Sequence, residues 1–305
     1  STTFNFKQSR FLSSGAVVES DNWWNSVGFI SSKSSETAHY VDVKEAEQTI
    51  ELPSEITEGA EWIKANALQY GFFRIGYDEA LLQKLVGAIR SNALSPIDRL
   101  TIQNDAFALS SAGKQSTAQA LQIASAFANE TDYTVWNGLI SNLGLVSSVW
   151  AEEASYPRFQ AFVRSLLRPV AQRLGWDAIP GESDRDALLR SLVISQLGLY
   201  KDEEIIAEGK KRFAEHISGA KQIAVDQRFA VYRMVVLSGG EAEWETIKNI
   251  FETSDMNEEK LRALRALGFT PNADLKIKTL EYTINHVRSQ DVAFGVEAVA
   301  SSSAE

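Results

Sequence analysis

Cysteine is absent from this chain of 305 residues, and histidine occurs only three times. Without cysteine the chain can form no disulfide, no thiolate nucleophile and no cysteine-ligated metal site. His39, His216 and His286 are followed by Tyr, Ile and Val, so the H-E-x-x-H pair that binds zinc on one helix face does not occur. We interpret these histidines as surface or capping residues. The sequence predicts no catalytic and no metal-ligating residue in this chain.

Long apolar runs and an excess of positive charge are also missing. No segment approaches the roughly 20 apolar residues of a membrane-spanning helix, so we expect no membrane span. The net charge of −10 and the pI near 5.0 argue against nucleic-acid binding, because phosphate contacts need clustered Lys and Arg. Residues 1–15 are polar and show no signal peptide. The lack of cysteine is compatible with a cytoplasmic protein, which is our expectation.

The first part of the sequence, residues 1–77, carries the pattern of short β-strands. Phe4 and Phe6 alternate with polar neighbours, and aromatic and β-branched residues recur in 23–30 and 40–43. Clusters of Ser, Asn, Asp and Gly separate these runs. A small antiparallel β-sandwich is the simplest interpretation.

The stretch from Trp62 to Asp78 marks the change from strands to helices. Strand-favouring residues lie on both sides of a polar turn at 68–71, which predicts a β-hairpin. Asp78 is the expected N-cap of the following helix, because apolar residues recur at helical spacing directly after it.

From Asp78 to about Ser289 the apolar residues keep a helical period. Ser95 before Pro96 is typical of an N-cap followed by proline at the first helical position. We count about ten or eleven helices joined by short turns, which suits an α-solenoid. No fixed-period consensus is present, so its repeats are expected to be irregular and HEAT-like or armadillo-like. The predicted fold class is mostly α: an irregular α-α superhelix preceded by a small antiparallel β-sandwich.

This pattern predicts two domains, a β-sandwich domain at 1–77 and a C-terminal α-helical superhelical domain at 78–305. The last residues, 298–305, are small and polar. They show no pattern of a closing helix, so we expect the array to be incomplete at its end.

Two acidic runs, Glu152-Glu153 and 202–204, could hold a metal or form an acid-base pair. Adjacent carboxylates on a helix point to different sides, and the first helical turn favours negative charge. A solvated helix start is therefore the better interpretation of 202–204. No set of residues assembles a nucleophile, a base and an oxyanion site.

Several motifs, in order along the chain, resemble one enzyme family. The longest covers 62–77, WIKANALQYGFFRIGY, which is similar to the W-x-K-x-N…Q-x-G-[FY]-[FY]-R-[VI]-x-Y segment of zinc aminopeptidases of the aminopeptidase N and puromycin-sensitive type. Residues 94–109 resemble the family's L-x-x-x-D-R…D-A-F-x-L helix pair, and 7–11 resembles its Q-x-R-F strand. Further matches continue to Val292, so the resemblance covers nearly the whole chain.

The resemblance implies the non-catalytic C-terminal part of a zinc metallo-aminopeptidase that removes N-terminal residues from peptides. In this family, separate domains hold the G-x-M-E-N loop and the H-E-x-x-H…E zinc site, and a β-sandwich and a helical array close over them. The chain resembles the last two domains. The implied partners are therefore the missing catalytic domain of the same protein and peptide substrates, and zinc would belong to the parent enzyme, with no cofactor in this chain. The implied role is to form the wall of the substrate cavity and to gate access.

Within the matched segment, Asn66, Gln69, Arg74 and Tyr77 are the candidate site residues. The resemblance suggests domain-interface or sheet-organising roles for them, and the competing interpretation is that they only satisfy local backbone groups. For the whole chain, the alternative is an independent helical-repeat interaction scaffold with no enzymatic role. The ordered motifs favour the aminopeptidase interpretation.

Overall fold

The structure is a computed structural model that describes residues 2–16, 18 and 22–302. Within this part of the chain, the strands are β1 (Thr2–Lys7), β2 (Asn25–Ser31), β3 (Ser34–Val43), β4 (Glu47–Leu52) and β5 (Ile63–Ala65). The helices are α1 (Ser54–Thr57), α2 (Glu79–Arg90), α3 (Pro96–Ser111), α4 (Thr117–Ala124), α5 (Tyr133–Trp150), α6 (Tyr156–Leu174), α7 (Asp184–Leu199), α8 (Glu203–Ile217), α9 (Val225–Ser238), α10 (Glu241–Thr253), α11 (Asn257–Leu267), α12 (Ala273–His286) and α13 (Val292–Ser301). Two short 3₁₀ turns lie at Ala67–Gln69 and Ser125–Asn129. The predicted mostly α fold with a small antiparallel β part is confirmed.

The strands form two small antiparallel sheets. β1 pairs with β4, and β2 lies between β3 and β5. Apolar side chains from both sheets share one core, in which Phe29 and Leu52 are buried. Phe6 contacts Phe29 edge to face, with ring centroids 5.7 Å apart. Alternation along the strands places these residues on the inner faces, as the sequence pattern predicts.

The chain divides into two compact units, Ser1–Leu143 and Gly144–Glu305. The first unit joins the strands to the first helices. The predicted domain boundary between 77 and 78 lies where strands give way to helices, and it stays a prediction.

Helices in the second unit pack in two layers. α7, α9, α11 and α13 contact one another in succession, and α6, α8, α10 and α12 each pack on the next helix along the chain. The core between them contains fully buried aromatic residues, among them Tyr232 and Trp244. This next-but-one packing is the arrangement expected of an irregular α-solenoid.

Helix α13 corrects the expectation that 298–305 lacks a closing helix. Val292–Ser301 is helical and packs on α11 and α12, whereas 303–305 lies outside the described residues. The contacts are made through small residues: a Cβ on Gly268 would meet the backbone of Ala298 at 2.6 Å, and one on Gly295 would meet Thr283 Oγ1 at 2.5 Å. Close packing through glycine and alanine leaves little large apolar periodicity to read in a sequence.

The predicted β-hairpin at 62–77 is wrong. Only β5 is a strand, and it pairs with β2 instead of with 72–77. The residues after it leave the sheet because Asn66, Leu68 and Gln69 have left-handed φ angles of 53°, 53° and 56°. Side chains then bind the backbone groups that a partner strand would have satisfied.

Predicted helix starts are confirmed by their caps. Asp78 Oδ1 accepts from the Leu81 amide at 2.8 Å, and Ser95 Oγ accepts from the Asp98 amide at 3.2 Å. These bonds satisfy amides that have no partner within the helix. Across the described residues, no helix is both long and apolar enough to cross a membrane.

Candidate functional site

The matched segment folds into a polar network that we call the joint cluster: Lys64, Asn66, Arg74, Tyr77, Asp98 and Asp105. Lys64 lies in β5, and Asn66, Arg74 and Tyr77 follow β5 along the chain. Asp98 and Asp105 lie in α3. All six lie within the first compact unit. The cluster connects the end of the small sheet to the first long helices.

Asn66 organises the turn that replaces the predicted hairpin. Its Nδ2 donates to the carbonyl oxygens of Gly71 at 3.0 Å and Phe73 at 3.2 Å, and its Oδ1 accepts from the Gly71 amide at 2.8 Å. The side chain is buried. A left-handed non-glycine residue costs about 1–3 kcal/mol, and asparagine tolerates this conformation better than most residues. These three hydrogen bonds oppose that strain and hold the turn in one conformation.

Lys64 is a buried cation, with only 2% of its side chain exposed. Its Nζ donates to the carbonyls of Ala65 at 3.1 Å and Asn66 at 2.8 Å, and it pairs with Asp98 Oδ1 at 3.0 Å. Burial lowers the pKa of Lys64, and the charge of Asp98 partly opposes this shift. Three ligands around one ammonium satisfy all of its donors.

Asp98 accepts hydrogen bonds from the turn after β5 and from the N-cap of α3. Its Oδ1 also accepts from the Leu68 amide at 2.8 Å, and its Oδ2 accepts from Ser95 Oγ at 2.6 Å. The residue lies in the first turn of α3, where the helix dipole favours negative charge. One carboxylate therefore ties the strained turn to the start of α3.

Asp105 holds the segment after the turn. Its Oδ1 pairs with Arg74 Nη1 at 3.2 Å, and its Oδ2 accepts from the Ile75 amide at 3.0 Å. Burial raises the pKa of Asp105, while the Ile75 amide and the Arg74 charge act in the opposite direction. The Arg74 guanidinium also lies over the Phe11 ring, 5.0 Å from its centroid. Arg74 thus links α3 to the segment that follows β1.

Tyr77 closes the network at β5. Its hydroxyl accepts from the Ala65 amide at 3.2 Å and donates to the Ala65 carbonyl at 3.3 Å. Burial is the main cause that raises the pKa of Tyr77 well above its usual range. The phenol therefore stays protonated and keeps both hydrogen bonds.

Gln69 lies outside this network. Its side chain is exposed and has no hydrogen bond to the described residues. Its backbone amide donates to the Asn66 backbone carbonyl at 3.1 Å. The structure thus brings three of the four candidates together and leaves one apart. Sequence reasoning assigned no role to Lys64, Asp98 and Asp105, although all three stand in matched motifs, and a charged residue within an apolar stretch is the signal that could have identified them.

The turn presents apolar side chains to solvent. Leu68, Tyr70 and Phe72 are exposed, Phe72 completely, and we call these three residues the turn tip. Large exposed apolar residues on a rigid support are typical of a contact surface.

The joint cluster can position chain segments but offers no accessible reactive group. Lys64 and Asp98 are buried, and Asp105 is buried apart from a small part of its surface. In the described part of the chain, no group of three or more His, Asp or Glu side chains could hold a metal ion. The joint cluster therefore stabilises the fold through ion pairs and hydrogen bonds.

Asp202 corrects the interpretation of 202–204 as a solvated helix start. Glu203 and Glu204 are exposed, but Asp202 is buried as the N-cap of α8 and pairs with Arg168 Nε at 2.6 Å. The N-cap geometry turns its carboxylate toward the helix amides and away from water.

Known proteins resemble this chain over most of its length. Residues 62–305 match the model of the ERAP1-like C-terminal domain. The chain belongs to this family. It is 30% identical over 317 residues to Aminopeptidase M1 of Arabidopsis thaliana, a match that covers 96% of the chain and 35% of the relative. Aminopeptidase M1-A of Oryza sativa is 34% identical over 252 residues, covering 80% and 29%, and Aminopeptidase 2 of Candida albicans is 30% identical over 291 residues, covering 93% and 31%.

These matches confirm the resemblance to the C-terminal region of the aminopeptidase family. The chain spans about a third of the length of the curated relatives it matches. The joint cluster lies within the family match, since all six residues fall between 64 and 105.

Proposed function

We propose that this chain is the non-catalytic C-terminal part of a zinc metallo-aminopeptidase that removes N-terminal residues from peptides. The family match over 62–305 carries the proposal, and the aminopeptidase names of the relatives support it. The described residues provide no zinc site, so zinc would be held by another part of the parent protein. There it would activate water and polarise the peptide carbonyl.

The contribution of this chain is to form the substrate cavity wall and to gate access to the catalytic domain. The layered helices of the second unit supply an extended surface of the kind that helical solenoids use for binding. Movement of such a wall between open and closed positions would limit entry of large folded substrates.

The turn tip is the proposed contact with the catalytic domain, and the joint cluster holds it in position. Asn66, Arg74 and Tyr77 act as positioning residues, because their hydrogen bonds fix the turn that carries Tyr70 and Phe72. Gln69 lies on the exposed side of the same turn and would contact the partner domain directly. A cytoplasmic location of the parent protein belongs to this proposal, and cell fractionation tests it.

The direct experiment compares this chain with the longer protein encoded by the same reading frame. Zinc content and hydrolysis of aminoacyl amides are measured for both. We expect stoichiometric zinc and turnover in the longer protein and neither in residues 1–305 alone. Turnover by the isolated chain would refute the assignment, and a longer protein without zinc or turnover would favour an interaction scaffold.

Gating is tested separately on the longer protein. Rates are compared for a dipeptide amide and for a peptide of about 15 residues, with and without residues 144–305. We expect the deletion to change the ratio of the two rates. An unchanged ratio at equal zinc content would contradict the role in access.

A further inference from the structure

A cavity of about 350 Å³ lies between helices α6, α7 and α8, within the second compact unit. Much of its lining is apolar: Ile194 and Leu197 are buried, and Trp176 and Ile205 are half-buried. Small-molecule sites commonly have volumes of about 300–1,000 Å³ and an apolar lining with a few polar groups. The size of this cavity therefore suits a small ligand better than a long peptide.

The Trp176 wall of the cavity is held in place by its neighbours. The Arg212 guanidinium carbon lies 4.9 Å from the ring centroid of Trp176. Arg212 is itself fixed by two hydrogen bonds to Asp177, both at 2.8 Å. The Trp176 carbonyl also accepts from Gln227 Nε2. A wall that is already ordered loses little conformational entropy when a ligand binds to it.

Arg168 brings a pair of parallel donors to the cavity. Its Nε donates to Asp202 Oδ2 at 2.6 Å, and Asp202 Oδ1 accepts from the Ile205 amide at 3.2 Å. Asp202 thus holds the guanidinium with one oxygen and caps α8 with the other. Nη1 and Nη2 of Arg168 make no hydrogen bond to the described residues. These two atoms form the end of the guanidinium, where their N–H groups point the same way and can bind both oxygens of one carboxylate.

Glu204 brings a negative charge to the same cavity. Its side chain is exposed and forms no hydrogen bond or ion pair with the described residues. The hydrogen bond and the charge of Asp202 raise the pKa of Arg168, and the charge of Glu204 adds to this effect. Arg168 and Glu204 are therefore close enough to interact. A cation and an anion beside an apolar lining match a small zwitterion with an apolar body.

We propose that this cavity binds a free α-amino acid with an apolar side chain. Arg168 donates to its carboxylate from Nη1 and Nη2, Glu204 accepts from its ammonium group, and its side chain packs on the apolar lining. The two charges of an α-amino acid lie on neighbouring groups of one carbon atom, which suits the closeness of Arg168 and Glu204. The site does not rest on the proposed peptidase role, because it lies within one compact unit of this chain and needs no zinc.

Titration calorimetry of the whole chain with leucine tests the proposal. Three further compounds each lack one part of leucine: glycine the side chain, leucinamide the carboxylate, and 4-methylpentanoate the ammonium group. We expect leucine to bind at millimolar concentration or below, and each of the three to bind about tenfold or more weakly. Absence of leucine binding, or equally tight binding of any of the three compounds, would overturn the proposal.

Two neighbouring acids provide a matched pair of variants. E204Q should weaken leucine binding about tenfold or more, because the ammonium group loses its counter-charge. E203Q should leave the affinity unchanged, because Glu203 is equally exposed but does not line the cavity. Neither acid forms a side-chain hydrogen bond to the described residues, so both variants should fold. Equal affinities of E204Q and E203Q for leucine would overturn the proposal.

R168K tests the carboxylate contact. Lysine keeps the positive charge but lacks the parallel donors, so we expect leucine to bind R168K no more tightly than leucinamide does. Leucinamide has no carboxylate, and its affinity should be the same for R168K and the unmodified chain. An unchanged affinity of R168K for leucine would overturn the role of Arg168 and with it the amino-acid site.

Discussion

Lys64 and Asp98 form an ion pair of 3.0 Å in which both side chains are almost completely buried, at 2% and 1% exposure. The pair joins the residue next to the end of β5 to the first turn of α3. Because Lys64 also binds two backbone carbonyls and Asp98 also binds an amide and a hydroxyl, each charge is surrounded by matching groups. Such a pair is strongly destabilising to break, since removal of one partner leaves the other buried and uncompensated.

We therefore predict that D98N lowers the free energy of unfolding by about 3–5 kcal/mol, because the Lys64 charge loses its partner. Urea unfolding of the chain measures the change. E47Q is the control, because it removes the exposed pair that Glu47 forms with Lys7, and it should leave stability unchanged. Equal effects of the two variants would contradict the role assigned to the buried pair.

His216 gives the second unit a dependence on pH. Its Nε2 lies 3.1 Å from the Tyr232 hydroxyl, which itself donates to Glu259 Oε1 at 2.5 Å, and the ring also interacts with the Gln222 side chain. The hydroxyl proton points to Glu259, so His216 donates from Nε2. Burial lowers the pKa of His216, the Arg228 charge lowers it further, and Glu259 acts in the opposite direction.

A lowered pKa in the folded state means that the unfolded chain binds the proton more readily. The stabilisation is therefore complete above the ordinary histidine pKa of about 6.5 and is lost as the pH falls through the folded-state value. We predict that H216N reduces the loss of stability between pH 7.5 and pH 5. His286, exposed and stacked on Tyr282, provides the control H286N, which should retain the full loss.

Glycine 268 tests the packing of α13. A Cβ at Gly268 would lie 2.6 Å from the backbone of Ala298 and Val299, which cannot move aside as a side-chain end can. We predict that G268A destabilises the chain by about 1–3 kcal/mol, as overpacking does. Gly144 in α5 has open space around its Cβ position, so G144A should stabilise by about 0.5–1 kcal/mol through helix propensity. Thermal unfolding shows whether each variant is more or less stable than the unmodified chain. An unchanged stability of G268A would argue against the close contact.

A substitution at Phe72 distinguishes the stability of the isolated chain from the proposed contact with the catalytic domain. The side chain is fully exposed, so we predict that F72S leaves the unfolding of the isolated chain unchanged. In the longer protein, the same change should lower thermal stability or turnover, because the turn tip would lose apolar contact with the catalytic domain. V149S, at an exposed residue of the other unit, is the control. Equal behaviour of F72S and V149S in the longer protein would remove the turn tip from the proposed interface.

Local patterns predicted most of the helical part. The caps at Asp78 and Ser95 could be read from spacing because each depends on neighbours within one or two turns. Helix α13 was missed because its contacts run through Gly268 and Gly295 and not through large apolar side chains.

Long-range bonds explain why the site was only partly predictable. The residues after Ala65 have strand-favouring types, yet Asp105 and Asn66 bind their backbone groups and prevent pairing. Which acid in α3 meets which residue of the turn depends on the packed structure, so no local pattern reveals it. Asn66, Arg74 and Tyr77 could be named only through the resemblance.

The bond between Tyr77 and Ala65 has a consequence for association. β5 lies at the edge of its sheet, and an edge strand offers free amides and carbonyls to which another chain can add a strand. The Tyr77 hydroxyl occupies both backbone groups of Ala65 on that open side. One phenol thereby makes the backbone groups of Ala65 unavailable to an added strand.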